Sequence, residues 1–235
     1  MTEYDDAYDE EYYNSARNPA NESLAEMSIR EQLQNMALSF EKMAIYLSRL
    51  VEYASSNDPL ALERMKKTYE RDVLGLKERM EVLKRSTFNY IARLRTTLPY
   101  STAYANLAVL YVRAAQHIEG ASYRLFIYRT KYGWTDNEIG TDILNLTQKL
   151  VEASSGMVRL FRNIGVNRRL AEDAISQVYR AEEEIDAIYR RLYVRILARM
   201  GSDVARMTLL LAIADSMEGV ADSLKDLCDY SLILH

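Results

Sequence analysis

Ala115-Gln116-His117-Ile118-Glu119-Gly120-Ala121-Ser122-Tyr123-Arg124-Leu125 and Ala214-Asp215-Ser216-Met217-Glu218-Gly219-Val220-Ala221-Asp222-Ser223-Leu224 line up at a constant offset of 99. A glutamate-glycine pair in the middle of both stretches is hard to obtain by accident, and it points to an internal duplication. Further upstream the offset is 110, with Asn35 on Asn145, Arg49 on Arg159 and Leu50 on Leu160. The two offsets differ by 11 residues, close to three turns of helix. The expectation is a longer second helix in the first copy, keeping its core face in register.

Working outward from these stretches, the punctuation divides the chain into six helices. Ser23-Leu24-Ala25-Glu26 and Ser28-Ile29-Arg30-Glu31 are both capping boxes, in which hydroxyl and carboxylate each satisfy an orphan backbone N–H. The first helix starts at one of them and runs to about Ser55. Asn57-Asp58-Pro59 opens a second, with proline at the first helical position, continuing to about Thr97. Pro99, Ser101 and Thr102 restart a third helix to about Lys131, and Thr135 with Glu138 form another capping box in the linker that follows. The fourth helix ends near Gly165, the fifth runs from Arg168 to Met200, and Ser202 caps the sixth, which ends near Tyr230. The reading is all-α: six long antiparallel helices as two tandem three-helix bundles, residues 28–131 and 138–232. In the sixth helix Met217, Val220, Ala221, Leu224, Leu227 and Cys228 repeat at threes and fours as one buried stripe. Leu209 to Ala214 is apolar all round, so that turn belongs where the two hairpins meet or under a partner.

Composition limits what such a bundle can be. With 235 residues, 49% of them hydrophobic, the chain buries a sizeable core. Its single cysteine, Cys228, excludes an internal disulfide framework and a multi-cysteine zinc site. No apolar run spans a bilayer and no signal peptide is read, so the expected location is cytoplasmic, peripheral to the inner face of the membrane only through a partner. Residues 1–27 carry eight acids against Arg17, a balance of −7, whereas the body carries 29 basic and 26 acidic side chains. A segment so charged buries too little apolar area to offset its chain entropy, and is expected to be a disordered tail. Tyr4, Tyr8, Tyr12 and Tyr13 leave open the alternative that it folds onto a partner or onto the body's arginines.

Candidate ligands lie on the last two helices. Asp215, Glu218, Asp222, Asp226 and Asp229 fall at i, i+3, i+7, i+11 and i+14, with Lys225 the only base among them. Like charges so spaced repel, and acids near a helix C-terminus meet an already negative dipole. Carboxylates in that position suit a hard or borderline cation; the bland alternative is the solvated face of an amphipathic helix. Glu182 and Asp186 on the fifth helix are a second pair, for which a salt bridge to Arg180 or Arg190 is the alternative.

Two three-helix repeats with these acids on the last helix resemble the PhoU-like proteins, in particular the Pit accessory branch associated with phosphate transporters. The resemblance covers residues 28 to 232 and is carried by Ile213-Ala214-Asp215-Ser216-Met217-Glu218-Gly219-Val220-Ala221-Asp222 and Glu182-Glu183-Glu184-Ile185-Asp186. It implies a non-catalytic regulator or adaptor of phosphate uptake, with a membrane phosphate transporter or its regulatory machinery as partner, and it leaves self-association into a homo-oligomer open. It also implies that iron, zinc or another divalent metal is held by Asp215, Glu218, Asp222, Glu182 and Asp186. The first half departs from the pattern: Gln116, Glu119 and Tyr123 stand where the second has Asp215, Glu218 and Asp222, leaving Glu119 as a remnant.

Enzyme chemistry finds little purchase. A di-iron carboxylate bundle needs two Glu-x-x-His motifs, and the only histidines are His117 and His235; no phosphate loop or nucleophile elbow occurs. The competing class is a nucleic-acid- or ribosome-binding helical protein using Arg159, Arg162, Arg168, Arg169, Arg180, Arg190, Arg191, Arg195, Arg199 and Arg206. Against it stands surface salt bridging. Abundant tyrosine and arginine with one cysteine also fit a heat-adapted, thermophile protein rich in ion-pair networks.

Overall fold

The computed structural model describes residues 23–94, 98–134 and 137–234. Among them are six long helices and no strand: α1 (Leu24–Ser55), α2 (61–93), α3 (Ser101–Tyr132), α4 (Asn137–Asn163), α5 (Arg168–Met200) and α6 (Val204–Leu232). The first capping box is the one used. Ser23 Oγ accepts from the Glu26 amide at 3.2 Å, and Glu26 Oε2 accepts from the Ser23 amide at 3.0 Å, so Leu24–Met27, placed with the tail by sequence, are helical. The rest of the expected tail and the Thr135–Glu138 box fall on or depend on residues outside those described.

The second helix departs from expectation. It comprises Ala61–Lys67, a π-helical turn Thr68–Val73, and Leu74–Arg93, and spans the same length as the 33-residue α5. The first copy therefore has no longer second helix. Instead α2 and α3 are joined by residues 94–100 where α5 and α6 are joined by 201–203, and no single insertion carries the offset. The sixth helix is capped by Asp203, whose carboxylate accepts from the Arg206 amide at 3.0 Å, rather than by Ser202. Asn167 does the same for α5, accepting from the Leu170 amide at 3.1 Å.

Packing ties the repeats together more closely than two abutting bundles. Each outer helix, α2 and α5, touches only helices of its own repeat, while α1 packs on α4 and α3 on α6 across the repeats. Ile29, Leu33, Met36, Phe40, Met43 and Leu47 follow one another at threes and fours along α1 and are fully buried. Tyr111 of α3 lies between Phe40 of α1 and Phe161 of α4, ring centroids 6.1 and 5.6 Å away. One continuous apolar core results. The all-apolar turn of α6 sits where the sequence placed it, with Leu210, Ile213 and Ala214 buried and α6 against α3 of the other repeat. No described helix is long and apolar enough to cross a membrane.

Polar ties close the ends of the bundle. Asp142 near the start of α4 is buried and accepts from Arg191 at 2.9 Å and from Arg195. Glu138 takes Arg195 at 3.1 Å and Arg199 at 2.8 Å. Acids at the N-terminus of α4 and arginines near the C-terminus of α5 also complement the two helix dipoles.

Candidate functional site

The acids of α6 face a matching row on α5: Tyr179, Glu182, Asp186, Tyr189 and Tyr193 recur at i, i+3, i+7, i+10 and i+14. Antiparallel packing turns the two rows into a ladder. Tyr179 donates to Asp229 at 2.6 Å, Lys225 donates to Glu182 at 2.8 Å, and Tyr189 donates to Asp215 at 2.9 Å. These rungs are satisfied. Burial and the Asp215 carboxylate raise the Tyr189 phenol to about 12, and burial and Asp229 raise that of Tyr179, so both hydroxyls keep their protons and act as donors.

The middle rung is different because it brings acids together. Glu218 is half-buried and its carboxyl is pushed up to about 7, by burial first and then by Asp222, Asp186 and Asp215. Asp222 is likewise raised, by burial first and then by Asp186, Glu182 and Asp226, with Lys225 opposing. Asp186 is paired with Arg190 one turn along at 2.6 Å, and Lys225 also lies within its electrostatic reach. Of the five residues singled out by sequence, Glu218, Asp222 and Asp186 thus share one electrostatic neighbourhood. Glu182 and Asp215 lie on either side, each already bonded.

The fit to a metal is mixed in a specific way. The donor chemistry, oxygen with too little positive charge nearby, suits a divalent cation. The convergence is incomplete: among the described residues no three such side chains meet as a ready-made metal site. Arg190 holds Asp186 through one oxygen, Oδ2.

The expectation that the acids of α6 repel with only Lys225 among them is corrected by these contacts. Glu218 is turned partly inward, and Tyr179, Tyr189 and Lys225 supply donors to the rest of the ladder. The signal for them was the row on α5, whose spacing nearly repeats that of α6.

In the first repeat Glu119 accepts from the Tyr69 hydroxyl at 2.7 Å, and Tyr69 stacks 5.7 Å from Tyr123. Tyr69 opens the π-turn, its carbonyl accepting from the Leu74 amide five residues on. The two copies meet at the glycines of the opening alignment. His117 packs against Gly219, and Arg124 lies over Gly120 while donating to Ser216 at 3.2 Å. Burial and the Arg113 charge hold the His117 imidazolium below its usual range, against a pull from Asp222.

The arginines of the second half are largely engaged. Arg168 pairs with Glu172, Arg190 with Asp186, Arg191 and Arg195 with Asp142, and Arg199 with Glu138. Arg206 lies over the rings of Tyr128 and Tyr132. A set so paired does not favour nucleic-acid binding, because phosphates would have to displace existing partners.

No family model matches the chain, and no curated protein matches it by sequence. Solved structures do match. A PhoU-like protein from Shewanella oneidensis superimposes with a TM-score of 0.72 at 15% identity, covering 88% of this chain and 98% of that one. PhoU from Pseudomonas aeruginosa gives 0.69 at 11% identity over 89% and 96%. The phosphate transport system regulatory protein PhoU from Streptococcus pneumoniae gives 0.59 at 15% identity over 88% and 96%. The chain therefore has the PhoU-like fold, two three-helix repeats around one core.

Proposed function

We propose that this chain is a non-catalytic regulator of phosphate transport that acts by contact with a membrane phosphate transporter or its regulatory machinery. The observation that carries the reading is the fold, shared over 88% of the chain with a protein described as the regulatory protein of a phosphate transport system. That no described helix can cross a membrane suits an adaptor that reaches the bilayer through a partner. Co-purification from cells, with the chain as bait, tests it: recovery of a phosphate transporter or of its regulatory kinase supports the reading, and preparations that recover neither argue against it.

Within that reading the middle rung of the ladder is the proposed metal site. Glu218 and Asp222 supply the first oxygens, Asp186 the third through the oxygen that Arg190 does not hold, and Glu182 and Asp215 flank them. Iron, zinc or another divalent ion would supply the positive charge that this rung lacks. The supporting observation is the raised carboxyl of Glu218 beside Asp222 and Asp186. Metal analysis of protein purified without chelator is the test. Stoichiometric metal, lost in the Asp186→Asn, Glu218→Gln, Asp222→Asn variant, supports the site; no metal after loading with iron or zinc refutes it.

A further inference from the structure

Among the described residues one guanidinium lies on a pair of tyrosines. The Arg206 guanidinium lies 5.6 Å from the Tyr128 centroid and 6.0 Å from that of Tyr132, the two rings are 5.6 Å apart, and Arg206 Nε donates to the Tyr128 hydroxyl at 2.7 Å. Tyr69 and Tyr123 form a second pair with almost the same spacing, 5.7 Å. Among the described residues no arginine or lysine lies over either of these rings.

This second pair carries what the first lacks, a carboxylate. Glu119 accepts from Tyr69 through Oε1, and its other oxygen has no partner among the described residues. Tyr123 is 48% exposed, so the pair is accessible from solvent. On α2, Arg71 is tied to Asp72 by two hydrogen bonds of 2.9 and 3.1 Å, and Lys66 reaches Glu70 at 3.9 Å. Tyr69 lies in the π-turn Thr68–Val73, a feature that interrupts an α-helix and recurs at functional sites. Met65, Thr68 and Val73 around it remain buried, so the turn keeps α2 on the core while its register shifts.

We propose that Tyr69, Tyr123 and Glu119 form a docking point for an arginine side chain of a partner protein, laid on the rings and paired with the carboxylate. Ring quadrupole and carboxylate both favour a cation, and the planar guanidinium satisfies both at once where an ammonium satisfies one well. The first repeat then offers aromatic rings with one carboxylate where the second offers several carboxylates, Tyr123 standing where the second repeat has Asp222. The proposal rests on the adaptor reading only in taking the partner to be a protein.

The full chain, with its tyrosine rings isotopically labelled, is titrated with a peptide of alternating arginine and glycine and followed by NMR. The Tyr69 and Tyr123 signals shift together and saturate, a lysine-glycine peptide binds more weakly, and Glu119→Gln and Tyr123→Leu each weaken arginine binding by about fivefold or more. Tyr193→Leu, on the other repeat, leaves it unchanged. Glu119→Gln preserves shape and decides the matter if Tyr123→Leu does not fold. Absence of binding, or binding indifferent to Glu119→Gln and reported by Tyr189 and Tyr193 instead, overturns the proposal. Neither result touches the transport reading, which is tested in cells.

Discussion

His117 packs so closely on Gly219 that a Cβ at position 219 would stand 2.8 Å from its Cε1. At the equivalent Gly120 the same atom would meet Arg124 Nη1 at 2.6 Å, the end of a flexible side chain that can move away. The two glycines of the repeat therefore respond differently. Gly219→Ala is expected to destabilise by about 1 kcal/mol, the overpacking outweighing the gain in helix propensity, and to become stabilising in a His117→Ala background. Gly120→Ala is expected to be neutral or stabilising by up to about 1 kcal/mol. Chemical denaturation of the singles and the double variant measures the coupling.

Glu218 gives a pH dependence whose sign is fixed. Its folded carboxyl titrates at about 7 against 4.5 when unperturbed, so between those values the folded state binds the proton more tightly than the unfolded state does. Its contribution favours folding at low pH and is lost as pH rises through 7. Glu218→Gln is expected to be more stable than the native chain by about 1 kcal/mol at pH 8, after allowance for solvent screening. The two should coincide below pH 4.5. A constant difference at all pH values would show that the acids around Glu218 do not act on its charge.

Asp142 is the buried acid on which α4 and α5 close. Asp142→Ala removes the ion bonds to Arg191 and Arg195 while Arg195 keeps Glu138 and the half-exposed Arg191 turns to solvent, and is expected to cost about 2 kcal/mol. Thermal unfolding with a drop of less than a few degrees would contradict the view that this pair of ion bonds fixes α5.

The Tyr111 hydroxyl is buried in the core without a hydrogen-bond partner among the described residues. Because removing an unsatisfied buried group recovers its desolvation cost, Tyr111→Phe is expected to raise stability by about 1 kcal/mol. A loss of that size would mean the hydroxyl is satisfied by a group or solvent molecule inside the core.

Helix order and the duplication were legible because caps, prolines and the glutamate-glycine pairs are local signals that tertiary structure leaves in place. The length of α2 was not. A sequence offset reports only the sum of insertions, and here it is spread over connections beside a π-turn that periodicity does not mark. The row of acids on α6 was legible from its spacing. Their individual fates were not, because Tyr179, Tyr189 and Lys225 pair with Asp229, Asp215 and Glu182 only once two antiparallel helices are in register. Glu119 was read as a worn copy of Glu218; its tyrosine partner comes from a π-turn whose geometry no capping or periodicity rule reveals.

Phosphate uptake in the native host tests the central claim most directly, comparing cells that carry the chain, cells that lack it and cells given it back. A regulator of phosphate transport predicts that uptake without the chain no longer follows the external phosphate supply, and that restoring the chain restores the response. Uptake that follows the supply equally in all three would contradict the account.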